Sequence, residues 1–188
     1  MGCAHSGHPS PGRSEARIFF NDGYQTYLNE FDEETFNRSI SWYIDALIHG
    51  RAVDARMASL AAGIEQLAQG HSARDGESGQ TANKIKNLIN NLEVEFEDLA
   101  KFAGSFPDEA VDGSDPNRTP EYFYSNSRNF VLHGDPKISS QELILDYEAT
   151  LWLFRRILVR QFVNKENHED LDKMRDLSPD KDRFLSID

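Results

Sequence analysis

The chain predicts an all-α fold, a single antiparallel bundle of about five helices with flexible ends, and three observations carry that expectation. Apolar residues recur every three to four positions in five separate segments, the spacing that paints one face of a helix. Start and stop signals bracket those segments: Ser139 three residues before Glu142, Thr119 before Pro120, and glycines at 50, 70, 104 and 134. A chain of 188 residues with 38% hydrophobic content is enough for one ordinary core and short of two.

The first helix opens near Asp32 and carries Phe36, Ile40, Tyr43, Ile44, Leu47 and Ile48 to a stop at Gly50. The second carries Val53, Met57, Leu60, Ala61, Ile64, Leu67 and Ala68 to Gly70, and a polar loop from His71 to Gln80 turns the pair into a hairpin. Thr81 caps a third, with Ile85, Leu88, Ile89, Leu92, Phe96, Leu99 and Phe102 running to Gly104. A Gly-, Pro-, Asp- and Ser-rich connection follows to Arg118. Thr119 and Pro120 start a fourth helix that reaches Gly134. Ser139 and Glu142 form a capping box for a long fifth, with Leu143, Ile144, Tyr147, Leu151, Phe154, Ile157, Leu158 and Phe162. The domain division is therefore 1–30 as a mobile segment, 31–164 as the helical domain, and 165–188 as a polar tail.

The net charge of −12 argues against broad binding to nucleic acid, whose affinity comes mainly from Lys and Arg neutralising phosphates; any RNA contact must be local. The acids concentrate in residues 91 to 115. Residues 151 to 160 reverse the sign with Arg155, Arg156 and Arg160, a basic strip that would lie beside the fourth helix if the two pack. No apolar run approaches the roughly 20 residues of a membrane span, and no secretory signal opens the chain, so a cytoplasmic location is expected. The lone Cys3 fits a reducing compartment. Met1-Gly2-Cys3-Ala4-His5-Ser6 matches the pattern for N-myristoylation with Cys3 open to palmitoylation, which defines a lipid-anchored adaptor as a separate class of function. No phosphate-cradling glycine loop, Ser-His-Asp elbow or spaced metal cluster occurs, and neither a cofactor nor a metal is expected.

The segment richest in chemistry is Ser127-Arg128-Asn129-Phe130-Val131-Leu132-His133-Gly134. A guanidinium grips phosphate oxygens with two parallel donors, and an imidazole gains and loses a proton near neutral pH, so together they suit phosphodiester cleavage. The spacing alone carries little weight, since a chain of this composition yields about one such pair by chance. Five helical steps turn about 500°, which leaves Arg128 and His133 about 140° apart, while Asn129 and His133 share a face. Convergence would come from a left-handed turn at the glycine, freeing the imidazole from helical geometry, or from a second copy of the chain.

This segment resembles the Arg-x4–6-His signature of the HEPN superfamily, in which a polar residue commonly follows the arginine. The stretches Phe36-Asn-Arg-Ser-Ile-Ser-Trp-Tyr-Ile-Asp-Ala-Leu and Gly63-Ile-Glu-Gln-Leu are similar to helices of its ApeA-like branch, and the likeness spans about residues 33 to 163. The resemblance implies a metal-independent endoribonuclease of toxin or anti-phage defence type, a homodimer with two motifs in one cleft, working alongside an antitoxin or sensor protein. In that scheme His133 moves the proton, Arg128 holds the phosphate and Asn129 orients the imidazole or the scissile group. The alternative within the superfamily is a non-catalytic module that binds nucleotide or a partner protein. Each residue also has a plain structural role open to it: His133 as a helix C-terminal cap, Arg128 paired with an acid, Asn129 bonded to backbone. Tyr122, Phe123, Tyr124 and Phe130 have the spacing to stack on bases or to fill a core.

Overall fold

A computed structural model describes residues 33–48, 50–74, 79–104 and 119–162. These residues form six α-helices and one short 3-10 turn, and no strand occurs among them: α1 Glu33–Ala46, α2 Val53–Arg74, α3 Thr81–Asn91, α4 Glu97–Phe102, the 3-10 turn Pro120–Tyr122, α5 Ser125–His133 and α6 Ser140–Phe162. The expected mobile segments at 1–30 and 165–188, the acylation motif, and most of the connection before Arg118 lie outside the described residues.

The second helix is the axis of the bundle. Met57, Leu60, Ala61, Ile64, Leu67 and Ala68 are buried to 3% exposure or less, and α2 packs against α1, α3, α5 and α6. Gly70 does not end it; the helix runs on to Arg74 and buries Ser72. A glycine inside a helix costs about 1 kcal/mol, too little to stop one that is anchored on four sides.

The first helix is shorter than its apolar stripe suggests. It ends at Ala46, where the next amides reach back only three residues (Leu47 N–H to Ile44 O, 3.0 Å; Ile48 N–H to Asp45 O, 3.3 Å), and Ile44 and Ile48 stay on the surface. Arg56 closes the corner between α1 and α2: its Nε donates to the Ala46 carbonyl at 2.7 Å, its Nη2 donates to the Tyr147 hydroxyl, and its guanidinium lies 4.3 Å above the Tyr147 ring. An orphan helix-end carbonyl thus finds a charged donor.

The expected helix from Thr81 to Gly104 is two helices. After Asn91 the Glu93 amide bonds Asn90 O (3.1 Å) and the Val94 amide bonds Ile89 O (3.0 Å), with Glu93 itself left-handed at φ 53°. This is a Schellman ending with glutamate where glycine is usual, and the buried Val94 closes it against the core. Ile85, Leu88, Ile89, Leu99 and Phe102 are still buried, because α4 returns its apolar side to the same core. Thr81 is the first helical residue and not the cap; Gln80 occupies that position without a side-chain bond.

The expected fourth helix is likewise divided into the 3-10 turn and α5. The capping box that opens α6 forms as expected, with the Ser139 amide donating to Glu142 Oε2 (2.6 Å) and the Glu142 amide donating to Ser139 Oγ (3.2 Å). Of its stripe, Leu143, Tyr147, Leu151, Phe154, Ile157 and Leu158 are buried while Ile144 is exposed.

Candidate functional site

Helix α5 is tied to the bundle from beneath. Ser127, fully buried, donates its hydroxyl to Oδ2 of the equally buried Asp146 on α6, whose Oδ1 accepts the Gly104 amide at 2.6 Å. A buried carboxylate is stable only when its oxygens are satisfied, and this one stitches α5, α6 and the end of α4 together. Immediately before α5, Tyr122, Phe123 and Tyr124 are buried at 6% exposure or less and meet edge to face, with ring centroids 4.9 and 5.6 Å apart. The core role open to them in the sequence is the one they play.

On the opposite side of that anchor stands Arg128. Its Nε donates to Glu65 Oε1 at 3.0 Å, its Nη2 reaches Glu65 Oε2 at 3.4 Å, and its Nη1 donates to Asn129 Oδ1 at 3.1 Å. The Tyr122 hydroxyl donates to the same Glu65 Oε1 at 3.0 Å. Arg128 and Glu65 are each about a quarter exposed, so the pair sits at the rim of the bundle with one side open. Partial burial disfavours the guanidinium's charge, but the hydrogen bond and charge of Glu65 more than offset it and hold the Arg128 pKa above its ordinary value. Burial first, and the Glu65 charge second, push the Tyr122 phenol above its ordinary range; burial does the same to Tyr124. Both phenols are therefore neutral at physiological pH, and that of Tyr122 is the one that donates to Glu65.

Among the described residues the Nε of Arg128 and one N–H on each of its terminal nitrogens are engaged, which leaves one N–H on each of Nη1 and Nη2. Two such donors can meet the oxygens of a phosphate.

His133 is placed differently. Helix α5 stays regular through His133, and the left-handed turn occurs one residue later at Gly134 (φ 77°), whose amide bonds Phe130 O at 2.7 Å. The left-handed turn thus falls at the glycine, as expected, and the backbone of His133 itself stays helical. His133 is exposed, on the face of Asn129, and its side chain makes no hydrogen bond or ion pair among the described residues. One chain thus brings Arg128, Asn129 and Glu65 together and leaves His133 at the helix end. Leu132, one residue before it, is 50% exposed, and Ile144 on α6 is 37% exposed.

The basic strip of α6 is not part of this site. Arg155 donates to the Tyr43 hydroxyl (2.7 Å) and covers the Trp152 ring, and Arg156 makes a two-pronged bridge to Asp98 (2.7 and 2.8 Å) and a bond to Glu95 O (2.8 Å). Arg156, facing α4, accounts for part of the acidic cluster.

Glu65 is the site residue that the sequence did not single out for a role. Its signal was present: on α2 it stands between the core positions Ile64 and Leu67, at the edge of a buried stripe, where a carboxylate needs a partner. Comparison with known proteins supplies no relative: no family model, curated protein or solved structure matches the chain. Among the described residues no helix is long and apolar enough to cross a membrane, and no group of three or more His, Cys, Asp or Glu is placed to hold a metal.

Proposed function

We propose that the protein is a metal-independent endoribonuclease of HEPN type, acting as a homodimer in a toxin or anti-phage defence setting. The observation that carries the reading is the Arg128–Asn129 pair, braced by Glu65 and a quarter exposed, on the helix that ends at His133 and Gly134. RNA brings its own nucleophile. His133 takes the proton from the 2′-hydroxyl as O2′ bonds to phosphorus; the P–O5′ bond breaks, and the departing oxygen takes a proton from His133 of the partner subunit. The products are a 2′,3′-cyclic phosphate and a 5′-hydroxyl. Arg128 holds the non-bridging oxygens and offsets the charge that builds on them. Glu65 and Asn129 fix the guanidinium plane, so the donors need no rearrangement as the charge develops.

The dimer is part of the proposal. On a regular helix positions 128 and 133 stand about 140° apart, and a second copy apposed at the end of α5 would complete the site. The exposed Leu132 and Ile144 offer such a copy an apolar contact. The test is cleavage of an RNA pool in EDTA by wild type, Arg128→Ala and His133→Ala, with the 3′ ends identified.

A second reading, a non-catalytic HEPN-like module that binds nucleotide or a partner protein, is favoured by one observation. The Arg128–Glu65 pair by itself joins α5 to α2, a structural role that needs no substrate. Dimerisation without RNA cleavage under any condition would select it.

A further inference from the structure

A groove of about 350 Å³ runs between α1, α2 and α3, lined chiefly by Trp42, Ala62, Glu65, Gln66, Gln69 and Lys84. Its wall includes the carboxylate that braces Arg128, so the groove and the arginine are separated by a single side chain. Trp42 lines it while 40% exposed, an unusual position for an indole not used as core. The indole's backbone is held by close packing: a Cβ at Gly63 would lie 3.1 Å from Trp42 Cβ and 2.4 Å from the Phe154 ring, so only glycine lets α1 and the Phe154 side chain approach α2 so nearly. Across the groove Lys84 Nζ donates to Gln69 Oε1 at 2.5 Å, which fixes the amide so that its NH2 remains a donor. Gln66 adds a second amide able to give and accept.

We propose that this groove is a nucleobase subsite for single-stranded RNA, with a base stacked on Trp42, its edge met by the Gln66 and Gln69 amides, and its phosphate directed past Glu65 onto Arg128. The proposal rests on the nuclease reading for its link to Arg128. The chemistry matches on each count: an aromatic face binds any base, side-chain amides meet base edges, and Lys84 supplies local positive charge on a chain that is otherwise strongly acidic. A duplex would not fit, because its bases are already stacked.

The test is anisotropy of a fluorescein-labelled 2′-O-methyl hexanucleotide, which cannot be cleaved, with the full chain. Trp42→Leu keeps the Cβ that packs on Gly63 and should weaken binding about ten-fold, whereas Trp42→Phe should stay within about three-fold of wild type. An oligonucleotide made abasic at its central positions should bind wild type as poorly as the normal one binds Trp42→Leu. Gln66→Ala, also a lining change, should weaken binding about three-fold and serves if Trp42→Leu melts early by circular dichroism. Unchanged affinity in both Trp42→Leu and Gln66→Ala, equal affinity for the abasic strand, or no binding by wild type overturns the subsite. RNA cleavage is measured in parallel: cleavage with Trp42-independent binding removes the subsite and leaves the nuclease, while Trp42-dependent binding without cleavage leaves a nucleobase site and removes the nuclease.

Discussion

Arg56 and Arg128 are both half-buried arginines gripped from two sides, yet they are held in opposite ways. Arg56 delivers its donors to neutral acceptors, the Ala46 carbonyl and the Tyr147 hydroxyl, and is capped by an aromatic face. Arg128 meets a full carboxylate along one edge, its neighbour's amide at one corner, and solvent on the rest. The first arrangement closes a helix corner with an aromatic face over the guanidinium and no carboxylate bonded to it. The second fixes the plane of the guanidinium while leaving its end open, which is what recognition of a planar pair of oxygens requires. A third arginine, Arg156, pairs with Asp98 on the surface and is a control for a charge that does neither.

The comparison can be broken by substitution, beginning with the largest effect. Arg56→Ala should lower unfolding stability by about 2 kcal/mol in urea melts, because it takes the charged donor from a helix-end carbonyl that then keeps only the Tyr147 hydroxyl and removes the cover from Tyr147, and should leave RNA affinity per folded molecule unchanged. Arg128→Ala should reverse that pattern: a loss of about 1 kcal/mol in stability and at least a hundred-fold loss in cleavage. Equal stability losses with equal activity losses would erase the distinction. Glu65→Gln keeps acceptors for Tyr122 and Arg128 but removes the countercharge. It should cost about 1 kcal/mol and lower the cleavage rate about ten-fold, with RNA bound at least as tightly, a split that a merely structural glutamate would not give.

The surface pair gives the smallest effect and a pH signature. Hydrogen bonding and charge from Arg156 hold the Asp98 carboxyl below its usual range despite partial burial. A carboxyl lowered on folding contributes stability above its unfolded pKa, and that contribution is lost as pH falls through the folded value. Wild type and Asp98→Asn should therefore differ by about 0.5 kcal/mol near pH 6 and converge as the pH falls below the ordinary carboxylate range in urea titrations. A difference that persists at acid pH would assign the effect to packing.

How much of this was legible in the sequence depends on whether the signal was local. The capping box of α6 was, because Ser139 and Glu142 bond only each other's backbone. The core was as well: the predicted positions of α2 are buried from Met57 through Ala68 with Val53 partly so, and those of α3 and α4 are buried although Leu92 and Phe96, at the break between them, are only partly covered. The break was not, since it turns on Glu93 in a left-handed conformation where a glycine would have announced it. Ile44 and Ile48 fit the helical period but lie outside, because α1 has only α2 and the edge of α6 to cover it. At the site, Arg128 and Asn129 were readable from adjacency. Glu65 lies 63 residues away in sequence, and its pairing depends on how α5 lands on α2. The end of α5 was legible too, because the chain turns left-handed at Gly134, where the glycine announced it.

The central claim is that Arg128 and His133 form one reactive centre, and the most direct measurement is cleavage of a mixed RNA pool in EDTA by wild type, Arg128→Ala and His133→Ala at matched helicity and oligomeric state. The account predicts 2′,3′-cyclic phosphate ends from wild type, lost in both variants and not restored when the two variants are mixed, since a mixed dimer carries one His133 and the reaction uses two. Full activity in either variant, or an intact wild-type dimer that cleaves no RNA, would contradict it.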